Sequence, residues 1–223
     1  MLIVDKSKIL NLLFPPYCLN CQQYGAYVCP ACFGKIKINS LAESDALAKN
    51  KPKYLDKLLI ASDWQNPLLR QLIYEFKYRF AKDLKKPLGL LLIRFLSQIT
   101  LPQPALIVPI PLHPKRLRWR GFNQAQELGK ELAKEYNINM ANLLKRAHPT
   151  KAQMSFKNKT QRVLNIKNAF VLNPEFTGPT AFTKSTILLL DDICTTGATL
   201  NQAAKALKRT GVKNVWGLTL ARA

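Results

Sequence analysis

The chain has 223 residues, enough to bury a full core, so one principal domain with a small appendage is the expected organisation. Hydrophobic residues make up 48% of it, which excludes a disordered chain. A formal net charge of +21 predicts attraction to polyanions (nucleic acid, an anionic membrane surface, phosphate-rich ligands), with nucleic acid the favoured partner.

The opening stretch MLIVDKSKILNLLFPP has a short helical pattern that stops at Pro15-Pro16. Asp5, Lys6 and Lys8 interrupt its apolar run and it has no cleavage-site pattern, so it does not read as a targeting signal. Cys18, Cys21, Cys29 and Cys32 follow in the spacing C-x2-C-x7-C-x2-C. Two close pairs brought face to face give the four thiolates of a structural zinc site. The chain is expected to be cytoplasmic, where a disulfide framework is disfavoured, and a redox C-x-x-C does not normally come twice. The knuckles run to about Gly34. Residues 35–53 are polar and read as a linker or loose helix, which places an appendage at 1–53 and the main domain at 54–223.

Lys57–Asp63 (KLLIASD) is a candidate first strand. From Pro67, Leu69, Leu72, Ile73, Phe76 and Phe80 recur at helical spacing, and a second helix follows Pro87. The apolar run Leu88–Leu101 is short and broken by Arg94, so it predicts a buried helix and no membrane insertion. Ala105–Ile110 (ALIVPI) is a short buried-type strand. Gly121–Tyr136 is helical, with Ala125, Leu128, Leu132, Ala133 and Tyr136 on one face. Residues 146–168 are basic and weakly patterned, which suits a loop or an extended hood. The strand Thr186–Leu190, a helix from about Ala198 to Arg209, Gly211 as its stop and a last strand Asn214–Ala221 complete the chain. Strands alternating with helices predict an α/β fold with an open, largely parallel sheet.

The most informative segment is TILLLDDICTTGATL, residues 186–200. Ligands of such sheets bind beyond the carboxyl ends of the strands, where this loop must lie. Asp191 and Asp192 directly follow the strand; Thr195, Thr196, Gly197, Ala198 and Thr199 supply hydroxyls, a permissive glycine and helix-start amides. Carboxylates accept from ribose hydroxyls, and N–H groups at a helix start hold a phosphate. Ordinary acidic capping explains one Asp and one Thr, but not the whole set. Cys194, inside this loop, reads as a small filler. His113 and His148 have no histidine or cysteine nearby in sequence and are assigned no role.

The segment LLLDDICTTGATL resembles the phosphoribosyl pyrophosphate (PRPP) motif of type I phosphoribosyltransferases. VPIPLHPKRLRWRGFNQAQELGKELA at 108–133 is similar to the hallmark segment of the ComF family (competence protein F, ComFC-like). The four-cysteine N-terminus after LLFPP, the helix with Phe76-Lys77-Tyr78 and the stretch holding Gln153, Arg162 and Asn165 also look like that family. The resemblance implies a type I phosphoribosyltransferase-like sheet flanked by helices, with a small N-terminal zinc knuckle. It further implies that Asp191 and Asp192 contact the ribose hydroxyls with Mg²⁺ bridging nearby, and that Thr195–Thr199 wrap the 5′-phosphate. It implies work in DNA uptake beside a helicase-like competence partner.

Transfer from PRPP breaks the bond from the anomeric carbon to pyrophosphate, so negative charge grows on the leaving group and positive charge on the ribose. Lys115, Arg116, Arg118 and Arg120, on a flexible loop opposite the acids, would stabilise the first, and carboxylates the second. A solvated basic turn is the bland alternative. Arg118, Trp119 and Arg120 also interleave cations with an aromatic ring, as single-stranded nucleic acid requires, and Lys77 joins them as a candidate DNA contact. Tyr74 and Tyr78 stay open between core and surface roles.

The purine-salvage acid that follows the acid pair is replaced here by Thr195, which disfavours that chemistry. The leading expectation is a DNA-uptake protein binding Mg²⁺–PRPP and single-stranded DNA. The alternative is a metabolic phosphoribosyltransferase acting on a nucleobase or another nitrogen acceptor. A PRPP-responsive regulator is third, for want of a clear helix-turn-helix.

Overall fold

A computed structural model describes residues 16–79, 81–146, 169–176 and 182–223. The N-terminal helical pattern, Phe80, His148, nearly all of the 146–168 segment, and Gln153, Arg162 and Asn165 lie outside the described residues. The principal sheet has the order β1–β8–β6–β2–β3, from strands Lys57–Asp63, Asn214–Arg222, Thr186–Leu190, Ala105–Pro109 and Asn139–Met140. Every neighbouring pair is parallel, and β7 (Ile193–Cys194) adds to β8 beside them. A separate antiparallel pair joins β4 (Leu144–Arg146) to β5 (Phe170–Leu172).

The period of two along the strands builds the two faces. Leu59, Ala61, Leu188, Leu190, Leu218 and Leu220 bury into one layer. There they meet helices α3 (Pro67–Tyr78), α4 (Lys85–Leu96) and α6 (Gln124–Tyr136), through Leu72, Phe76, Leu92, Phe95, Leu128 and Leu132. Their strand neighbours Leu58, Ile60, Ile187, Leu189 and Val215 bury into the opposite layer, against helix α7 (Ala198–Lys208) and Leu144 and Phe170 of the small pair. The expected open parallel sheet flanked by helices is therefore present.

Residues 35–53 depart from the linker reading. Helix α2 (Leu41–Leu47) starts at a capping box in which Ser40 accepts from the Glu43 N–H while Glu43 accepts from the Ser40 N–H. Just ahead of it, Asn39 donates through Nδ2 to the Ile60 carbonyl and through its own N–H to the Ala61 carbonyl. Ser44, wholly buried, accepts from the Ile60 N–H at 3.0 Å. The reason is that β1 is an edge strand. Its unpaired backbone groups need partners, and this polar stretch supplies them.

Two helix boundaries also move. Helix α4 begins at Lys85, two residues before Pro87, because the first turn tolerates a missing N–H. The helix expected from Gly121 begins at Gln124 (α6), and a separate helix, α5 (Pro114–Arg120), precedes it and ends where Gly121 takes φ +73° as its C-cap. Lys115–Arg120 is thus helical rather than a flexible loop. His113 caps that helix, its Nδ1 accepting from the Lys115 N–H at 3.2 Å. No helix among the described residues is long and apolar enough to cross a membrane.

The cysteine segment packs into the same layer as α3 and α4. Cys18, Val28, Phe33 and Ile36 join that core, and helix α1 (Pro30–Phe33) is clasped by Arg94 lying 5.0 Å over the Phe33 ring.

Candidate functional site

Strand β6 is wholly buried at the sheet centre, so the residues after it are aimed at the carboxyl edge. The Asp191 N–H still donates to the Leu218 carbonyl (3.0 Å), and the Leu220 N–H to the Asp192 carbonyl (3.1 Å). The acid pair is therefore held by ladder hydrogen bonds rather than left on a loose loop. Asp191 Oδ1 accepts from the Asp192 N–H at 2.9 Å. The chain pairs again at β7, then turns through Thr195 and Thr196 into α7.

Gly197 makes that turn possible. Its φ is +73°, and a Cβ there would lie 2.4 Å from Pro52 Cγ. The Thr196 hydroxyl accepts from the Ala198 N–H at 3.3 Å, and the Tyr54 N–H donates to Asn201 Oδ1 at 3.0 Å. Residues 52–54 thus brace the loop from outside. Asp191, Cys194, Thr195, Gly197, Ala198 and Thr199 line a shallow, open depression. Burial pushes the Cys194 thiol up to about 11, which keeps it protonated and supports its filler role.

Cations from two separate segments, Lys77 and Arg146, face the acids, and Arg116 from a third stands beside Arg146. Lys77 of α3 places Nζ 2.8 Å from Asp192 Oδ1, with both side chains largely buried. Lys77 therefore lies inside the acid pocket rather than on an outer stripe. Arg146, at the end of β4, is within electrostatic reach of Asp191 and Arg116, and its guanidinium covers the Phe170 ring at 5.3 Å. Arg116 of α5 neighbours Arg120 and Tyr78. Burial lowers both Arg116 and Arg146, the latter to about 10, and each is lowered further by a neighbouring arginine. Burial and the adjacent Asp192 carboxylate raise Asp191 above the ordinary carboxylate range, with Lys77 and Arg146 opposing.

Of the other basic residues, Lys115 and Arg118 are exposed. Arg120 is half-buried, donates to Gln124 Oε1 at 3.1 Å, and stacks 5.1 Å over Tyr78. Its Nε is buried with no hydrogen-bond partner among the described residues. Trp119 is 55% exposed, 5.8 Å from the Tyr78 ring. Arg146 was missing from the sequence-based candidates; the buried doublet Leu143-Leu144 before Lys145-Arg146 is the short-strand signal that would have found it.

The four cysteine sulfurs lie within 4.8 Å of one another, and all four thiols are free. Bonds of about 2.3 Å to one tetrahedral zinc would set sulfurs about 3.8 Å apart, and Cys21 and Cys29 sulfurs are 3.6 Å apart. The Cys29 N–H donates to Cys18 Sγ and Asn20 Nδ2 to Cys32 Sγ, the outer hydrogen bonds that orient thiolate ligands. Burial pushes the Cys18 thiol up, but N–H groups of Cys21, Cys29 and Asn20 outweigh it and bring it to about 6. A Gln23 N–H pulls Cys21 down, yet the three other sulfurs outweigh that and hold it up at about 12. One thiolate is favoured and further ones are suppressed by it, a donor set that a divalent cation suits. The residues fit a bound metal ion such as zinc.

The phosphoribosyl transferase domain family matches residues 120–222, an interval that takes in α6, β6, the acid loop, α7 and β8. The chain is 33% identical to Competence protein F of Haemophilus influenzae, over 92% of this chain and 85% of that protein. It is 37% identical to Competence protein ComFC of Streptococcus pneumoniae, over 52% of this chain and 47% of that one. It is 29% identical to the DNA utilization protein YhgH of Escherichia coli, over 75% of this chain and 74% of that one.

Proposed function

The chain belongs to the ComF family and carries a phosphoribosyltransferase domain, and on that premise we propose that it handles incoming DNA during natural transformation, binding Mg²⁺–PRPP at Asp191–Thr199 and single-stranded DNA on its basic surface. The observation that carries the reading is the meeting of an acid pair with Lys77 and Arg146, with Arg116 next to Arg146, beside a threonine-lined depression. PRPP has matching parts: ribose hydroxyls for the carboxylates, a 5′-phosphate for the Thr195–Thr199 amides and hydroxyls, and a pyrophosphate for the cations. Arginines crowded together in a partly buried site raise one another's cost, and a polyanion removes that cost.

Asp191 and Asp192 orient the ribose and favour positive charge as it grows on the ring. Arg116 and Arg120, with the exposed Lys115 and Arg118, favour negative charge on the departing pyrophosphate. Mg²⁺ bound with PRPP supplies further neutralisation of the pyrophosphate. Lys77 holds Asp192 in place through their ion pair. The cysteine site holds structural zinc. The protein works in the cytoplasm beside a helicase-like partner.

Calorimetry with Mg²⁺–PRPP, then with single-stranded DNA in the same salt, tests the reading. Saturable PRPP binding that Asp191→Asn with Asp192→Asn abolishes supports it. So does DNA binding that weakens steeply with salt and on replacing Arg118 and Arg120 by Ala. No PRPP binding by the parent protein overturns it. Pyrophosphate release triggered by one particular free base, with no DNA binding, would favour a metabolic transferase instead.

A further inference from the structure

Helix α3 has two faces with opposite demands. Leu69, Leu72, Ile73 and Phe76 fill the core, and Phe76 meets Phe122 at 5.2 Å. The other face carries Arg70, Tyr74 and Tyr78 at i, i+4 and i+8. Tyr74 is 52% exposed, although its ring contacts Tyr78 at 4.9 Å. Trp119, from α5, continues the row at 5.8 Å from Tyr78, and the Arg120 guanidinium lies against Tyr78 from the side. Two helices distant in sequence thus bring three aromatic rings into one row, exposed at Tyr74 and Trp119 and half-buried at Tyr78 between them. Burying these rings would have been the default, and a row of rings left in water marks a binding surface.

We propose that Tyr74, Tyr78 and Trp119 form a stacking platform for the unpaired bases of a single-stranded nucleic acid, built on the rim of the acid pocket. The inference rests on the proposed single-strand binding and assigns it a site. Charge complementarity selects the occupant. Exposed Arg70, Arg79 and Arg118 border the rings, on a chain of net charge +21. Rings interleaved with guanidinium groups match a ligand of flat bases joined by phosphates. Duplex DNA hides its base faces and gains nothing from such rings. The rings are too close together for a base to slide between them, so bases lie on their outward faces. Lys77, one residue before Tyr78, turns into the acid pocket, so the platform and the sugar-phosphate site share one helix.

The test compares a labelled oligothymidylate of about fifteen nucleotides with an abasic strand of equal length and charge, by fluorescence anisotropy with the full chain. The parent protein is expected to bind the base-bearing strand at least roughly tenfold more tightly. The Tyr74→Ala, Trp119→Ala double variant is expected to bring that strand to the abasic affinity, leaving the salt dependence and the Mg²⁺–PRPP titration unchanged. The Tyr74→Phe, Trp119→Phe variant is expected to retain most of the preference. If the parent binds both strands equally and the Ala variant is unaltered, the platform is overturned while single-strand binding stands. If the parent binds neither strand at low salt, single-strand binding fails and the platform with it.

Discussion

The acid loop and the cation wall opposite it are built in contrasting ways. The loop is nine consecutive residues, Asp191–Thr199, fixed by ladder hydrogen bonds to β8 and by the Gly197 turn against Pro52. The N–H groups of Asp191 and Asp192 find partners without any ligand. The wall is assembled from α3, α5 and β4, and its arginines lower one another while burial lowers them further. One side of the site is preformed by its backbone, although Asp191 carries the cost of burial beside the Asp192 carboxylate. The other stores electrostatic cost that a bound polyanion relieves. The contrast explains how a pocket can be rigid yet keep a driving force for its ligand.

The largest effect that would break this contrast is at the acids. Asp191→Asn with Asp192→Asn should weaken Mg²⁺–PRPP by more than a thousandfold, ~4 kcal/mol, in calorimetry; a tenfold loss would mean that the wall alone does the binding. Next is Gly197→Ala, expected to destabilise the fold by about 3 kcal/mol through the left-handed backbone and the Pro52 contact, measured in urea unfolding. A neutral result would show that the loop is not held from outside.

Arg116→Gln should weaken pyrophosphate or PRPP roughly tenfold, ~1.4 kcal/mol, while the ligand-free melting temperature holds or rises, because Arg120 loses a repelling neighbour. A fall of several degrees would refute stored repulsion.

The smallest effect is a control at the opposite edge of the sheet. There Asp56 accepts from Lys208 and from the Val215 N–H, both at 2.7 Å. Burial pushes Asp56 up, but these partners outweigh it and hold its pKa below the ordinary value. A depressed folded pKa stabilises above the unfolded pKa, and the gain disappears as pH falls through the folded value. Solvent screening of this half-exposed pair holds Asp56→Asn to about 0.5–1 kcal/mol at neutral pH. Urea midpoints of parent and variant should converge in acid.

The loop was readable because its chemistry is local: a buried strand, two acids, then turn and helix-start residues in one run. The four-cysteine cluster was readable for the same reason. Of the wall, Arg116 was among the expected cations of the basic run, but nothing in Lys77 or Arg146 says which strand end will face it. Lys77 looked like a surface contact because helical periodicity says only which side of α3 is core. Residues 35–53 looked like a linker because their polar side chains serve an edge strand, a role set by tertiary pairing. Gly121 was read as a helix start, while its positive φ makes it the C-cap of the helix before.

The pairing of β1 with β8 has a consequence for how the molecule is made. Asp56 and Val215, bonded at that seam, are 159 positions apart. Lys57–Asp63 leaves the ribosome early, yet its strand neighbour in the principal sheet, among the described residues, is synthesised some hundred and fifty residues later. Until then its apolar row has no mate, and the cysteine segment that packs on the same layer waits as well. Such long-range closure predicts slow folding, with an interval in which a holding chaperone would be useful.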